Sequence, residues 1–439
     1  SIGIPVRDAW CCPIAGTCPG YRVLMRSATS SVPSSTADSQ ADGVLAWPMA
    51  YVDRHAGRRR FYRGRPWCPA TREAGPLISD ARASIEQIRR SAGVPGCSIA
   101  VVNDSDILWS EGFGLADLQK RTPATPATVY HLFSGTKLFT AVAVLQLAER
   151  GVLDIDERLT AYLPEFSTLS EVRLSHLLSH RSGLKDTLRG FLSVYFPPDT
   201  PPSSAEALSG YRIAPARAPG GRVEYRNVNY ALLGEVVTRV SGIPYRDFVH
   251  VNVLEPLGMD VHFDLTAEQR PHAATGYIGR WDPMRAVLRL IVPSVARGIY
   301  RGRVRSQVGL AEYGLASAAI GGLVGSVPEF ARFLQAQLSG GEGILGRRST
   351  EMMQTMLAAG QPGIECRDGV GLGWKFGTAQ NGRFLNHEGG GAGFTSELRL
   401  YPEQGIGVAL AMNTMRMPRT MRIAHSMCEV VLSAGIPKA

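Results

Sequence analysis

Several familiar signatures are missing from this sequence. No apolar run in its 439 residues approaches the roughly 18 residues that a membrane-spanning helix needs, and no secretory apolar core is recognisable. The expectation is a soluble protein without a membrane span, with a cytoplasmic location favoured. HExxH, the P-loop and GxGxxG are all missing, so neither a metal nor an organic cofactor is signalled. Seven cysteines (Cys11, Cys12, Cys18, Cys68, Cys97, Cys366, Cys428) contain no CxxC, and only three lie beyond residue 75. That excludes a zinc framework and a disulfide scaffold. Cys97 sits in an apolar strand-like run and is expected to be a buried free thiol. Lysine is scarce as well: five residues, Lys120, Lys137, Lys185, Lys375 and Lys438, stand against 42 arginines.

Acidic residues are in deficit. Lys+Arg 47 against Asp+Glu 38 gives +9, and the first 75 residues supply +5 of it with ten Arg, no Lys and five acids. No RNP sequence, finger spacing or basic zipper accompanies the excess, so nucleic acid is not the expected partner and the charge is assigned to solvated surface. A second Arg-rich stretch, Arg285, Arg289, Arg297, Arg301, Arg303 and Arg305, gets the same assignment, with the rim of a site as its alternative. Residues 1–76 lack sustained periodicity and carry SATSSVPSSTADSQ and RHAGRRRFYRGR. Such a segment buries little and is expected to be a poorly structured extension.

From Ile78 onward the pattern is that of a globular protein, 44% hydrophobic and 19% charged, long enough to bury a large core. ISDARASIEQIRRSAG predicts an amphipathic helix that Gly93 ends. CSIAVVND and ILWSEGFGLAD predict two strands around a turn. LFTAVAVLQLAER is apolar on nearly every side and stops at Gly151, which predicts a centrally buried helix. Pro-rich loops and helical stretches follow to about residue 312. The last third reads as a helix (VPEFARFLQAQL), three strands (FLNHE, TSELRLYP, GIGVALAMNT) and a final helix from about Met421. Strands at both ends with helices between predict an α+β fold, an antiparallel sheet built from both chain ends and flanked by helices, with an inserted mostly helical lobe. The catalytic domain is placed at 77–437, its α/β lobe at about 77–145 and 313–437 and its helical lobe at about 146–312. A site is expected between the lobes.

Ser134-Gly135-Thr136-Lys137 puts a hydroxyl and an amine on one face at the head of the buried helix. Serine attacks poorly unless a base takes its proton, and a desolvated lysine can do so. The free N–H groups of the helix start face developing negative charge. The motif recurs as Ser182-Gly183-Leu184-Lys185, but no long apolar helix follows that copy. In an Arg-preferring chain, a lysine inside an apolar helix is not generic charge, and only lysine can lose its proton.

At this point the sequence resembles the serine β-lactamase and penicillin-binding protein superfamily, which carries SxxK at the head of its central helix. Leu153-Asp154-Ile155-Asp156 running into Tyr162-Leu163-Pro164-Glu165-Phe166, then Leu177-Leu178-Ser179-His180-Arg181-Ser182-Gly183-Leu184, is similar to the family's next stretch and makes the second SxxK a structural loop. Tyr225-Arg226-Asn227 is similar to the second motif, YxN. Gly321-Gly322-Leu323 and Gly371-Leu372-Gly373-Trp374 are further family-like segments, and His387-Glu388-Gly389-Gly390 occupies the third-motif place. The resemblance runs in order from about Ile78 to about Leu432 and implies the β-lactamase/transpeptidase-like fold.

The resemblance also implies roles. Ser134 attacks, Lys137 lowers its proton affinity, and Tyr225 shuttles a proton to the leaving group and later helps activate water. Asn227 holds a substrate amide or orients Lys137. His387 and Gly389 line the substrate, and the N–H groups of Ser134 and Gly390 form the oxyanion hole. Class C β-lactamases carry Lys-Thr-Gly where this chain has His-Glu-Gly. A neutral histidine attracts a β-lactam carboxylate less, and Glu388 repels it if it faces the cleft; Arg226 is placed to offset or pair with Glu388. HxG resembles the family's esterases and D-aminopeptidases. The expected activity is therefore a carboxylesterase on small neutral esters, through an acyl-enzyme. A D-amino-acid peptidase or amidase and an acyltransferase are the alternatives, with weak β-lactamase side activity; a non-catalytic binding or assembly protein is the alternative of another class. The expected partner is a small-molecule ester or amide, and oligomeric state is left open.

Overall fold

The computed structural model describes residues 75–186, 195–196, 208, 213–282, 300–360, 368–416 and 419–434, all within a unit that begins at Phe61. The Arg- and Ser-rich extension lies outside these residues except for Gly75 and Pro76, which open helix α1 (Gly75–Ala92). Its periodicity decides its packing: Ile78, Ala81 and Ile85 fall on one buried stripe, and Gly93, at φ 67°, ends it.

Among the described residues, nine strands form one antiparallel sheet. The first three are β1 (Gly96–Val102), β2 (Ile107–Asp117) and β3 (Thr122–Pro123). The rest come from the last third of the chain: β4 (Ala358–Ala359), β5 (Gly369–Val370), β6 (Lys375–Ala379), β7 (Gly382–Gly391), β8 (Phe394–Tyr401) and β9 (Ile406–Met412). Their order is β4-β5-β6-β7-β8-β9-β1-β2-β3. The seam is the β1–β9 pairing, with Cys97 opposite Met412 and Val102 opposite Gly407. The sheet therefore closes only when both chain ends are present, as the sequence pattern predicts.

Both faces of that seam are covered, which explains why β1 and β9 read as continuous apolar runs rather than alternating ones. Ala100 and Val102 point into the larger core with Ala409 and Ala411. Cys97, Ile99 and Val101 point the other way, with Val408 and Leu410, onto α1 and the C-terminal helix α5 (Arg419–Ser433). Cys97 and Cys428 are buried free thiols, and burial pushes the Cys97 thiol up to about 12.

The larger core is organised around α2 (Thr136–Glu149), which buries every residue from Thr136 to Leu147. Against it pack α3 (Asn227–Ser241) and α4 (Val327–Leu338). Short helical segments at Leu159–Tyr162 and Leu174–Leu178 fill the part of the chain read as helical. That stretch also contains a small sheet of Tyr277–Gly279, Gln307–Leu310 and Tyr300–Val304. Its strands are too short, and the outer one (YRGRV) too polar and exposed, to announce themselves by alternation. Arg301, Arg303 and Arg305 are exposed; Arg285, Arg289 and Arg297 lie outside the described residues. Among the described residues no helix is long and apolar enough to cross a membrane.

Candidate active site

The turn that presents Ser134 is strained. Phe133 has φ 49°, in the left-handed region that a bulky residue rarely adopts, and this bend swings Phe133–Gly135 directly into α2. The strain is held by packing: Phe133 is buried, Leu132 N–H donates to Leu323 O at 2.9 Å, and Ser396 Oγ donates to Leu132 O at 2.6 Å. One helical turn on, Lys137 Nζ lies 3.0 Å from Ser134 Oγ and donates to Ile320 O at 2.8 Å. Lys137 is fully buried. A hydroxyl and an amine at that distance, shielded from water, can exchange a proton directly.

Tyr225 stands just before α3. The carboxylate of Asp186 accepts from the N–H groups of Asn227 (2.7 Å) and Val228 (2.9 Å), satisfying the free donors at the helix start. Asn227 is thereby fixed at the first turn of α3. The centroid of the Tyr225 ring is 5.1 Å from Lys137 Nζ, 4.4 Å from the His180 ring and 6.0 Å from the His387 ring. Ser134 and Lys137, Tyr225, and His387, from three distant parts of the sequence, thus share one locus.

The two imidazoles are complementary. His180 Nδ1 accepts from Asn229 Nδ2 (3.2 Å) and the Arg226 N–H (3.3 Å), so its proton is assigned to Nε2. His387 Nδ1 donates to Glu388 O at 2.9 Å, leaving Nε2 as an acceptor. Both Nε2 atoms are buried without a hydrogen-bond partner. Burial holds both groups well below the ordinary value of 6.5, reinforced by the Lys137 and Lys375 ammonium groups, and for His180 also by Arg226. Both imidazoles are neutral at neutral pH.

Strand β7 brings the glycines to the serine turn. A Cβ on Gly389 would overlap the Leu132 carbonyl and Ser396 Oγ, and one on Gly391 would overlap the Phe133 ring. The β7 backbone therefore lies directly against Leu132 and Phe133, the two residues that precede Ser134. At Gly390 the methyls of Met415 and Met421 occupy the position a side chain would take.

Sequence reasoning missed Lys375 and misplaced the partner of Glu388. Lys375 Nζ donates to Glu388 Oε2 at 2.9 Å and lies 4.7 Å from the Tyr225 ring centroid. Arg226 instead pairs with Glu224 at 3.1 Å and donates to Leu184 O. Desolvation raises the Glu388 carboxyl, but the Lys375 charge and hydrogen bond outweigh it and hold the group below the usual range. One signal was available: the scarcity of lysine that singles out Lys137 applies equally to Lys375.

A family model described as Beta-lactamase matches residues 81–426. The chain belongs to the beta-lactamase family. Its fold is the β-lactamase/transpeptidase-like one, and the family is one of serine hydrolases. Residues of this chain are 30% identical over 199 positions to PbpX of Bacillus subtilis (strain 168), a chain named for penicillin binding; the match covers 45% of this chain and 49% of that one. The chain thus spans about half the length of this relative. Among solved structures, the octameric penicillin-binding protein homologue from Pyrococcus abyssi is 26% identical with a TM-score of 0.67, over 82% of this chain and 77% of that chain. The D-amino acid amidase from Ochrobactrum anthropi SV3, complexed with D-phenylalanine, is 24% identical with a TM-score of 0.66, over 81% and 99%. At that identity the second likeness speaks for the fold alone.

Proposed function

We propose that this protein is a carboxylesterase that cleaves small neutral esters through an acyl-enzyme on Ser134. The observation that carries the reading is the 3.0 Å contact between Ser134 Oγ and the buried Lys137 Nζ. As Oγ attacks the ester carbonyl, the Lys137 ammonium that donates to it lowers its proton affinity, and the proton passes to the Tyr225 phenolate, whose ring lies beside that ammonium. The oxyanion is received by the N–H groups of Ser134 and Gly390, a role supported by the close approach of Gly389 and Gly391 to Leu132 and Phe133, the residues just before Ser134. Collapse expels the alcohol with a proton supplied by Tyr225 and leaves the acyl group on Oγ. Water then repeats the sequence, releasing the acid and restoring the hydroxyl. Asn227 and His387 line the substrate.

Charge balance supports a neutral substrate. Glu388 is tied to Lys375 and His387 is neutral, so the third motif presents no net charge to attract a substrate amine or repel a carboxylate. A D-amino-acid amidase would want an open acid for its substrate's ammonium group, and Glu388 is not open. The test is hydrolysis of p-nitrophenyl acetate and butyrate by wild type beside Ser134→Ala, both at matched folded concentration. Loss on the order of a millionfold is expected of a serine nucleophile. Equal rates in the two proteins would remove Ser134 from the chemistry, and cleavage of D-alanine anilide in preference to either ester would replace the esterase by the amidase.

A further inference from the structure

Lys375 is one of five lysines in the chain, and it is almost wholly buried, on β6, with side-chain exposure of 4%. A buried ammonium is costly unless paired, and Glu388 on the neighbouring strand provides the pairing at 2.9 Å. The strand register creates that meeting: Lys375 is opposite Asn386 on β7, two residues before Glu388. An ion pair serving only the sheet would gain nothing from lying under a catalytic ring. This one holds its ammonium 4.7 Å from the centroid of Tyr225, closer than the 5.1 Å of Lys137.

We propose, on the footing that Tyr225 is the proton carrier of the reading above, that Lys375 is a positioning residue for the reaction: its ammonium, fixed by Glu388, stabilises the phenolate form of Tyr225. The groups around Tyr225 leave this work to the lysines. Lys137 faces it from α2, Lys375 from β6, and His387 and Glu388 from β7. His180 faces it from the loop after Leu174–Leu178, with Asp186 at the head of α3. The chain neighbours Glu224 and Arg226 pair with each other, and both imidazoles are neutral. Lys375 is also among the charges that hold the two imidazoles neutral, so one cation serves both ends: it keeps the neighbouring histidines unprotonated and favours negative charge on the phenol between them.

The experiment is a titration of the Tyr225 ring in the full-length protein labelled with 13Cζ-tyrosine, its resonance assigned by its loss in Tyr225→Phe. Relative to wild type, Lys375→Met should raise the Tyr225 titration by about one to two pH units, while Glu388→Gln, which removes the neighbouring negative charge, should lower it. Opposite signs are the signature, since a structural role would disturb both variants alike. An unmoved midpoint in Lys375→Met, or shifts of the same sign in both variants, overturns the proposal. If Lys375→Met does not fold, Glu388→Gln decides alone: a downward shift supports the role and no shift overturns it. A wild type inactive on every ester would defeat the esterase reading yet leave this titration readable.

Discussion

The chain spells the same four-residue motif twice, and the two copies do opposite things. At Ser134–Lys137 the backbone turns into α2, so the i,i+3 spacing becomes a 3.0 Å contact between buried side chains. At Ser182–Lys185, Gly183 adopts φ 70°, Lys185 is exposed, and the buried Ser182 hydroxyl donates to Asn229 Oδ1 at 2.6 Å. Spacing in sequence is only an address; backbone conformation decides whether two side chains meet. The second copy still serves the first, because Asn229 passes the bond on to His180, whose ring lies against Tyr225.

The contrast can be broken most forcefully at its lysines. Lys137→Met should lower kcat on p-nitrophenyl butyrate by about a hundredfold to ten-thousandfold, the usual worth of a group positioned for proton transfer, with folding checked by circular dichroism; a loss under threefold would sink the Ser-Lys assignment. Acid should act next, through the loop that carries the second copy. His180 and His387 stay neutral in the fold, whereas unfolded imidazoles take up protons below about 6.5. Their contribution to stability is whole above that value and is lost as pH falls below it. The melting temperature should fall steadily from about pH 6.5 to about pH 5, and a flat profile would show that these imidazoles are not buried neutral.

Two smaller effects sharpen the comparison. Ser182→Ala strands the Asn229 carbonyl and should cost about 1–3 kcal/mol in urea unfolding, whereas kcat should stay within a few-fold of wild type; a collapse in kcat at full stability would give the second copy a direct chemical role. Lys185→Met should change stability by no more than about 0.5 kcal/mol and leave turnover untouched.

What was legible in the sequence follows the range of the interactions. The helix at Ser134, the strands at both chain ends and the closing helix are local patterns, and they fold as read. The partnership of Glu388 is not local. It depends on the register that sets Lys375 against Asn386 across the β6–β7 ladder, and no spacing within either strand announces it. Arg226, adjacent to Tyr225 in sequence, was the more obvious candidate, yet Glu224 holds it. Asp186 at the start of α3 was hidden for the same reason: its acceptor role requires the chain to return from Tyr225 to Asp186, some forty residues earlier in the sequence. The strain at Phe133 has no sequence signature at all, since any residue type can stand there until the glycines of β7 are seen to press on it.

The seam between β1 and β9 bears on how the molecule is born. Cys97 must find Met412, so a chain emerging from the ribosome exposes an incomplete sheet edge until β9 has been translated, and pairings so distant in sequence form slowly. The serine turn waits as well, since Leu132 is gripped by Ser396 and crowded by Gly389. The turn at Ser134 is therefore framed late, and a nascent chain that stalls before β8 carries Ser134 and Lys137 without the Ser396 hydroxyl and the β7–β8 ladder that hold that turn.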